Sequence, residues 1–167
     1  MGYPIPPSEI LNYIKRHADA FKLDPALVYA IARKESDFNP FAIRHEPEVD
    51  FRFQVHKHAA INRTTMGTED QLQKYSYGIM QVMGFVLREL GYEGSFLAMG
   101  NPDLGIFYGC KKLRQIYDHR NDTCMEDVIC FYNGGKKRAD GRYSNQIHYV
   151  DKVVEFMKID NPFTPGK

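Results

Sequence analysis

The sequence predicts a mainly α-helical domain in which several helices surround a cleft. Apolar residues recur at the spacing of a helix face in several stretches, whereas the alternation that marks a half-buried strand is weak throughout the chain. A length of 167 residues is sufficient for one domain with a proper core. We therefore expect a single domain over residues 1–167, with its core at about 8–158 and a loose tail at 159–167.

The first helix is expected to begin at Ser8, after an extended, proline-rich segment at residues 2–7. Serine is a favoured N-cap because its hydroxyl accepts a hydrogen bond from an unpaired backbone N–H of the first turn. The predicted apolar face of this helix comprises Ile10, Leu11, Ile14, Ala18 and Phe21.

The second helix is expected from about Pro25 to about Asp37, and it carries Glu35 in its last turn. Asp24 supplies an N-cap before the proline, and Pro40 is a stop signal because the residue before a proline is pushed out of the α region. One face of the helix is apolar, with Leu27, Val28, Ile31 and Ala32.

Glu35 therefore lies where a buried helix meets a loop. A carboxyl group that is half-buried against apolar neighbours keeps its proton to higher pH, which is what a general acid requires. Taken alone, a glutamate at this place is more simply a surface residue of the last helical turn. Motifs further along the chain favour the acid.

The segment from residue 40 to about residue 65 has poor periodicity and many charges, and we expect a long loop with one short helix. Thr68 and Gln71 resemble a capping box that opens another short helix. A buried helix is predicted next, ended by Gly91 in a left-handed conformation. Its apolar positions are Ile79, Val82, Met83, Val86, Leu87 and Leu90.

Three more helices are expected in the last third of the chain. One begins at Asn101-Pro102 and runs to about His119, with its inner face at Leu104, Ile106, Cys110, Leu113 and Tyr117. The next is capped by Asp122 or Thr123 and ended by Asn133-Gly134-Gly135. After a basic loop, the last helix runs from about Gln146 to Lys158, with Ile147, Val150, Val154 and Met157 pointing inward.

Composition and charge exclude several classes of function. The net charge is +1, from 22 basic and 21 acidic residues, whereas a nucleic-acid-binding protein would carry a basic excess. No apolar run is long enough to insert into a membrane. The three cysteines are an odd count, so reduced thiols within helices are favoured over a disulfide framework.

Four short motifs occur in a fixed order, and each is weak alone. They are Glu35-Ser36 followed by Phe38-Asn39-Pro40, then Ser76-Tyr77-Gly78-Ile79-Met80-Gln81, then Asn101-Pro102 with Gly109, and finally Phe131-Tyr132-Asn133-Gly134. Together they resemble the lysozyme-like lytic transglycosylase family, in its soluble-lytic-transglycosylase type of catalytic domain. The resemblance covers about residues 8–157 and is closest in look to phage-encoded members.

The resemblance implies a lysozyme-like fold and gives a role to each motif. Glu35 matches the catalytic acid. Gln81 is placed to hydrogen-bond an acetamido group or a hydroxyl of the sugar, and Gly78 lets the sugar approach the backbone. Tyr132 and Tyr149 are implied near the carboxyl group, and Asn133 braces the site or contacts sugar. The implied substrate-binding residues are Ser36, Ser76, Tyr77, Gly78, Met80, Gln81, Tyr132, Asn133 and Tyr149.

The implied reaction cleaves the β-1,4 bond between N-acetylmuramic acid and N-acetylglucosamine in peptidoglycan (murein). Glycosidases normally use two carboxyl groups, but the motifs contain one strong candidate, Glu35. A lytic transglycosylase, which is formally a lyase, does without the second. The acetamido oxygen assists departure of the leaving sugar, and Glu35 acts as acid and then as base. The product carries a 1,6-anhydro ring, and no cofactor or metal is implied.

Two rival functions stay open. Glu46 lies in the first loop, and if it faces Glu35 across the cleft it can serve as the second carboxylate of a muramidase that adds water. The chain could instead be a wall-binding or virion structural module with a weakly active cleft, but binding alone does not require Glu35. A metal site at His56 and His58 is disfavoured because no third ligand stands at a recognisable spacing.

Two further groups of residues have a plain and a functional interpretation. Tyr77 and Tyr132 either pack in the core or stack on sugars, and we favour stacking. The basic residues Lys136, Lys137, Arg138 and Arg142 form a solvated loop, or they attract the acidic peptide stems of the cell wall.

The expected partner is the glycan strand of the wall, bound by a monomer. The first residues lack the features of a secretory signal. We therefore expect either that a signal was trimmed, or that the protein is made in the cytoplasm and reaches the periplasmic wall by another route, as a phage endolysin or a virion-associated enzyme does.

Overall fold

The computed structural model describes residues 7–119, 124–159 and 161–163. Helices dominate the described residues and a small sheet completes them, which confirms the mainly α prediction. The elements in chain order are α1 (Pro7–Phe21), α2 (Pro25–Ser36), β1 (Ile43–His45), α3 (Val55–Ile61), α4 (Met66–Leu72), β2 (Tyr75–Tyr77), β3 (Val82–Met83), α5 (Gly84–Glu89), a 3-10 turn (Phe96–Gly100), α6 (Pro102–Asp118), α7 (Met125–Tyr132), a π-helical turn (Gln146–Val150) and α8 (Asp151–Lys158).

Helices α1 and α2 follow the predicted bounds closely. Helix α1 begins one residue before the predicted cap, and it buries Ile10, Ile14 and Ala18. At the start of α2, the Asp24 carboxylate accepts a hydrogen bond of 2.8 Å from the Ala26 N–H. The predicted N-cap of α2 is therefore confirmed. Of the extended segment predicted at residues 2–7, residues 2–6 lie outside the described residues, and Pro7 is the first residue of α1 instead.

The end of α2 is set by two residues in the left-handed conformation rather than by Pro40 itself. Asp37 has φ 51° and Phe38 has φ 62°. The Asp37 N–H donates to the Arg33 carbonyl at 2.9 Å, so it closes the last turn of the helix. Glu35 consequently occupies the final turn, as predicted.

The predicted buried helix over residues 79–90 is wrong in its first half. Residues 75–83 form a β-hairpin, in which β2 pairs with β3 and also with β1, and all pairs are antiparallel. Gly78 (φ 73°) and Gln81 (φ 46°) turn the chain with left-handed backbone that a helix cannot contain. Only Gly84–Glu89 is helical, and Gly91 (φ 85°) follows it at the predicted stop.

The capping box predicted at Thr68 is also wrong. Thr65 is the N-cap of α4, and its hydroxyl oxygen accepts a hydrogen bond of 3.1 Å from the Thr68 N–H. The Thr68 hydroxyl lies 2.8 Å from the Thr65 hydroxyl, so the pair closes the first turn together. Helix α3 is the short helix expected in the long loop.

Helices α6 and α7 lie where the sequence predicts them. The Asn101 side chain accepts a hydrogen bond of 3.0 Å from the Asp103 N–H and caps α6. Helix α7 begins at Met125, and Cys124 occupies its N-cap position. The Cys124 backbone N–H donates a hydrogen bond of 3.3 Å to the Asp127 carboxylate. The predicted caps Asp122 and Thr123 lie outside the described residues.

The end of the chain departs from the predicted regular helix. The π-helical turn shifts the register, so that Ile147 is 71% exposed instead of pointing inward, whereas Val150 and Val153 are buried. Part of the predicted tail is anchored, because the buried Asn161 amide donates to the Ala26 carbonyl at 3.0 Å. Residues 160 and 164–167 lie outside the described residues.

The core forms one cluster that joins α1, α2, α6 and α7 to the sheet and the π-helical turn. Cys110 and Cys130 are buried within α6 and α7, as predicted for cysteines in helices, whereas Cys124 is exposed at the N-cap position of α7. Within the described residues, every helix is too short or too polar to cross a membrane. The sheet, α6 and α7 enclose a cavity at the C-terminal end of α2.

Candidate active site

A cavity of about 520 Å³ opens beside the last turn of α2. Its walls come from α2, the sheet, α5, α6, α7 and the loop after β1, so residues far apart in the sequence share it. The polar and charged side chains of its lining are Glu35, Arg44, Glu46, Ser76, Gln81, Lys112, Tyr132 and Asn133. Six of these eight are residues that the sequence singled out; Arg44 and Lys112 are not.

Glu35 is the central group of this cavity. Its carboxylate accepts a short hydrogen bond from the Tyr149 hydroxyl. Burial raises the pKa of Glu35, while the Tyr149 hydrogen bond and the positive charges of Lys112, Arg44 and Lys34 hold part of that increase back. The net effect is that the pKa of Glu35 lies above that of an ordinary glutamate, so its carboxyl group keeps its proton to higher pH.

Tyr149 does not line the cavity but holds its acid. It is buried within the π-helical turn, and burial together with the neighbouring Glu35 carboxylate raises the pKa of its phenol well above the usual value. Tyr149 therefore stays a hydrogen-bond donor at every physiological pH. Its predicted place near the carboxyl group agrees with the geometry.

Gln81 lines the cavity, yet its side chain is mostly engaged within the protein. The amide nitrogen donates to the carbonyls of Ala42 and Gly78, both at 2.9 Å. The amide oxygen accepts from the Ser76 hydroxyl at 2.9 Å. Gln81 thus braces the hairpin turn, and only the second lone pair of its oxygen is left for a sugar donor.

Ser36 and Gly78 serve the frame of the site. The Ser36 hydroxyl donates to the Ile79 carbonyl at 2.8 Å and ties the end of α2 to the hairpin. A Cβ atom at Gly78 would lie 2.7 Å from the Met99 carbonyl oxygen. The residue that approaches the Gly78 backbone is therefore Met99 of the same chain, rather than a sugar as the sequence suggested.

Met80 and Tyr77 lie in the core. Met80 is fully buried and packs on Gly109, where a Cβ would clash with its sulfur atom at 2.2 Å. Tyr77 stacks on Phe96 with ring centroids 4.9 Å apart. Neighbouring residues of a strand point to opposite faces, so Ser76 reaches the cavity and Tyr77 does not. The sugar-stacking interpretation of Tyr77 is therefore corrected to core packing.

Tyr132 and Asn133 end α7 at the cavity wall. The Tyr132 hydroxyl donates to the Met80 carbonyl at 2.7 Å, and the residue is 2% exposed. Tyr132 borders the cavity, but its hydroxyl is already bonded and the Lys112 ammonium lies 4.0 Å from its ring centroid. The sugar-stacking interpretation of Tyr132 is therefore also corrected, to packing in the cavity wall. Asn133 is exposed, and its side-chain oxygen accepts from the Asn145 amide at 3.3 Å. Asn133 is the more accessible of the two to a bound sugar.

Lys112 is a cavity residue that the sequence did not single out. It extends from α6, and its ammonium group donates to the Tyr132 carbonyl at 2.8 Å while lying 4.0 Å from the centroid of the Tyr132 ring. Burial lowers its pKa to about 8, against the opposing effect of Glu35. No local signal in the sequence marks it, because its burial depends on how α6 packs against α7.

Glu46 shares the cavity with Glu35 but has a partner of its own. Arg44 forms a short ion pair with the Glu46 carboxylate, and both side chains line the cavity. The guanidinium neutralises the charge that a second carboxylate would bring to the reaction.

A metal centre receives no support from the described ranges, where no three histidine, cysteine or acidic side chains come together. His58 is buried and both of its ring nitrogens lack a hydrogen-bond partner, whereas His56 is exposed.

One of three comparisons with known proteins finds a match. The model of a family described as the transglycosylase SLT domain matches residues 12–152. This range includes Glu35, the whole cavity lining and Tyr149. No curated protein and no solved structure matches the chain.

Proposed function

Because the chain belongs to the transglycosylase SLT domain family, which cleaves peptidoglycan, we propose that it is a lytic transglycosylase that uses Glu35 as its acid and base. It cuts the β-1,4 bond between N-acetylmuramic acid and N-acetylglucosamine and leaves 1,6-anhydromuramic ends.

The observation that carries this proposal is a single available carboxyl group in the cavity. Burial raises the pKa of Glu35, and the Tyr149 hydroxyl fixes the direction of its carboxyl. The other carboxylate of the lining, Glu46, is occupied by Arg44. A reaction that needs only one carboxyl group suits this arrangement better than a reaction that needs two.

The chemistry follows from the two protonation states of Glu35. The protonated carboxyl gives its proton to the glycosidic oxygen, the bond from C1 to that oxygen breaks, and the acetamido oxygen of the muramic sugar supports the electron-poor C1. The Glu35 carboxylate then takes the proton of the 6-hydroxyl while O6 bonds to C1. Glu35 returns to its protonated state, and no water is consumed.

The remaining lining residues hold the sugar and the acid in place. Asn133 and the free lone pair of Gln81 are the polar contacts offered to the substrate. Tyr132 supports the Met80 backbone at the cavity wall. The hairpin is held against α2 and β1 by Ser36, Ser76 and Gly78. These residues affect the substrate indirectly, by keeping the hairpin in position.

The second candidate is a muramidase in which Glu46 activates a water molecule. The presence of Glu46 in the same cavity as Glu35 favours it. The Arg44 ion pair opposes it, because the guanidinium occupies the Glu46 carboxylate that would have to bind the water molecule. The structural-module alternative gives no reason for a cavity carboxyl group whose pKa is raised by burial.

We propose that the protein acts on the cell wall as a monomer and requires no metal or cofactor. The resemblance to phage-encoded members, and delivery as an endolysin or with a virion, stay predictions. Neither prediction affects the reaction proposed for the cavity.

The variant Glu35→Gln tests the proposal, because it keeps the shape of the side chain and removes the acid. Clearing of purified walls should fall by about 100-fold or more, while binding to the walls persists. The matched control is Glu48→Gln, which removes an exposed carboxylate that does not line the cavity. Retention of most activity in Glu35→Gln would reject Glu35 as the acid.

The stability of Glu35→Gln provides a check on folding. The pKa of Glu35 is higher in the folded than in the unfolded protein, so the folded state binds more protons between these two values. The free energy of unfolding therefore falls as the pH rises through that window. Glutamine does not titrate, so Glu35→Gln does not lose stability in this pH window. We therefore expect the unfolding temperature of Glu35→Gln at neutral pH to be equal to or above that of the parent protein.

A further inference from the structure

Lys112 brings a positive charge to the cavity without a carboxylate partner. Among the described residues, Arg44 is paired with Glu46, whereas no ion pair involves Lys112. Its ammonium is held by the Tyr132 carbonyl and the face of the Tyr132 ring. Burying a cation without an anion costs free energy. A negative charge that forms in the cavity during the reaction would therefore pair with the Lys112 ammonium.

We propose that the Lys112 ammonium is the counter-ion of the carboxylate that forms when Glu35 gives up its proton. This inference rests on the proposed function and adds a positioning residue to it. Lys112 acts through Glu35: it favours the ionised state of the acid, and with it the transfer of the proton to the leaving oxygen.

The charges of the cavity change in the required direction. Before the reaction the cavity holds a neutral Glu35 carboxyl and a Lys112 cation. When the O–H bond of Glu35 breaks and a new O–H bond forms on the glycosidic oxygen, a carboxylate appears in the cavity that the Lys112 ammonium lines. When Glu35 takes the proton of the 6-hydroxyl, the cavity returns to its first state, and Lys112 neither gains nor loses a proton.

Lys112 has a distinct place among the charged and titratable groups around Glu35. Tyr149 from the π-helical turn donates a hydrogen bond, and Tyr132 from α7 stays neutral. Arg44 from β1 is compensated by Glu46. Lys34, on the same helix as Glu35, lies 5.6 Å from the Tyr149 ring centroid and borders a different groove. Lys112 from α6 is thus the uncompensated cation that shares the cavity with the acid.

Lys112 also makes the activity of the site sensitive to alkaline pH. The pKa of Lys112 is lowered to about 8 by burial, so its charge is lost at moderately alkaline pH. Loss of that charge raises the pKa of Glu35, because a positive neighbour no longer stabilises the carboxylate. The alkaline fall of activity therefore reports both groups together rather than Glu35 alone.

The experiment compares Lys112→Met, which keeps the length of the side chain and removes its charge, with Lys112→Arg, which keeps the charge. The titration of Glu35 is followed directly by carbon NMR of the labelled side-chain carboxyl in the free protein. We expect the pKa of Glu35 to rise by about one unit in Lys112→Met, at the low end of the effect of a nearby opposite charge, and to change little in Lys112→Arg.

The activity of the same variants gives a second measurement. In Lys112→Met we expect kcat on purified peptidoglycan to fall by about 10-fold or more, with the alkaline limb of the kcat profile moved to higher pH. KM should change little. The Lys112→Arg variant should restore kcat to within about threefold of the parent protein.

Lys111→Met is the matched control. Lys111 is the adjacent residue of α6, and its ammonium also donates to a backbone carbonyl, that of Leu90 at 2.8 Å, but it does not line the cavity. This variant should leave both the titration of Glu35 and kcat unchanged. Lys112→Gln serves in place of Lys112→Met if the methionine variant does not fold.

Two results would overturn the inference. An unchanged Glu35 titration in Lys112→Met means that the ammonium does not act on the acid. A rise in KM with an unchanged kcat profile means that Lys112 contacts the substrate directly instead. Failure of the proposed function is a different result, because then the parent protein releases no anhydro sugars, whereas the carboxyl titration does not depend on the product.

Discussion

At the scale of single residues, Glu35 owes its chemistry to its surroundings. Burial raises its pKa, and Tyr149, Lys112 and Arg44 set the limit of that rise. The sequence located Glu35 because the caps of α2 are local signals. It could not locate Lys112, because the burial of a cation depends on how α6 packs against α7 and not on its neighbours in the chain.

The raised pKa of Glu35 predicts the direction of the pH dependence. The acid must be protonated to begin the reaction, so activity should be highest below its pKa and fall as the pH rises through it. The measurement is the rate of wall cleavage across a series of buffers of equal ionic strength. A rate that stays constant into strongly alkaline solution would contradict the acid role of Glu35.

At the scale of elements, the hairpin of β2 and β3 is the part that the sequence misjudged. Its apolar residues fit a helix face equally well, because a short apolar stretch does not separate the two periods. Pairing with β1, which lies 30 to 34 residues earlier, and the left-handed turn at Gly78 and Gln81 decide the outcome. The prediction that Ile147 points inward is wrong for a related reason, because the regular helical spacing of apolar residues does not predict a π-helical turn.

The turn of the hairpin predicts a large effect for Gly78→Ala. A Cβ there meets the Met99 carbonyl oxygen at 2.7 Å, in addition to a left-handed backbone that costs a non-glycine residue about 1–2 kcal/mol. Gly91→Ala is the control, because Gly91 is also left-handed but has nothing within 4 Å of the added Cβ. Thermal unfolding should show a loss of stability for Gly78→Ala at least about twice that for Gly91→Ala.

Equal losses in the two variants would mean that the close contact with Met99 relaxes at no cost. Gly78→Ala should also reduce activity more than its stability loss explains, because Gln81 and Ser36 are tied to the same turn. Activity is compared with that of Gly91→Ala at a temperature where both variants are folded.

At the scale of the whole molecule, one core connects the helices to the sheet and leaves the cavity at their junction. The fold class and most helix bounds followed from the sequence, because helix faces and caps are short-range features. The sequence predicts a cleft among the helices, but the residues that meet in it could be proposed only through the resemblance, since its walls come from segments between residues 35 and 134. The basic loop after α7 lies next to that cavity along the chain.

The basic loop predicts a salt-sensitive attraction to the acidic wall. Lys136 and Arg138 are exposed, and the loop directly follows Asn133 and Gly134 of the cavity lining. The double variant Lys136→Gln/Arg138→Gln should weaken wall binding in dilute buffer, and the difference should shrink near 0.15 M salt, where charges are screened beyond about 8 Å. Sedimentation of the protein with purified walls measures the bound fraction.

The control for this pair is Lys15→Gln/Lys22→Gln, which removes the same charge from the exposed surface of α1 and the turn after it. An equal loss of binding in both double variants would assign the attraction to net charge and not to the loop.

The central claim is that one carboxyl group cleaves the glycan without water, and mass spectrometry of the released sugars tests it most directly. Purified peptidoglycan is digested with the protein, and the soluble fragments are weighed. We expect fragments that end in 1,6-anhydromuramic acid, one water lighter than the reducing form. Fragments with ordinary reducing ends would contradict the claim and would make Glu46, despite its Arg44 partner, the second carboxylate of a hydrolase.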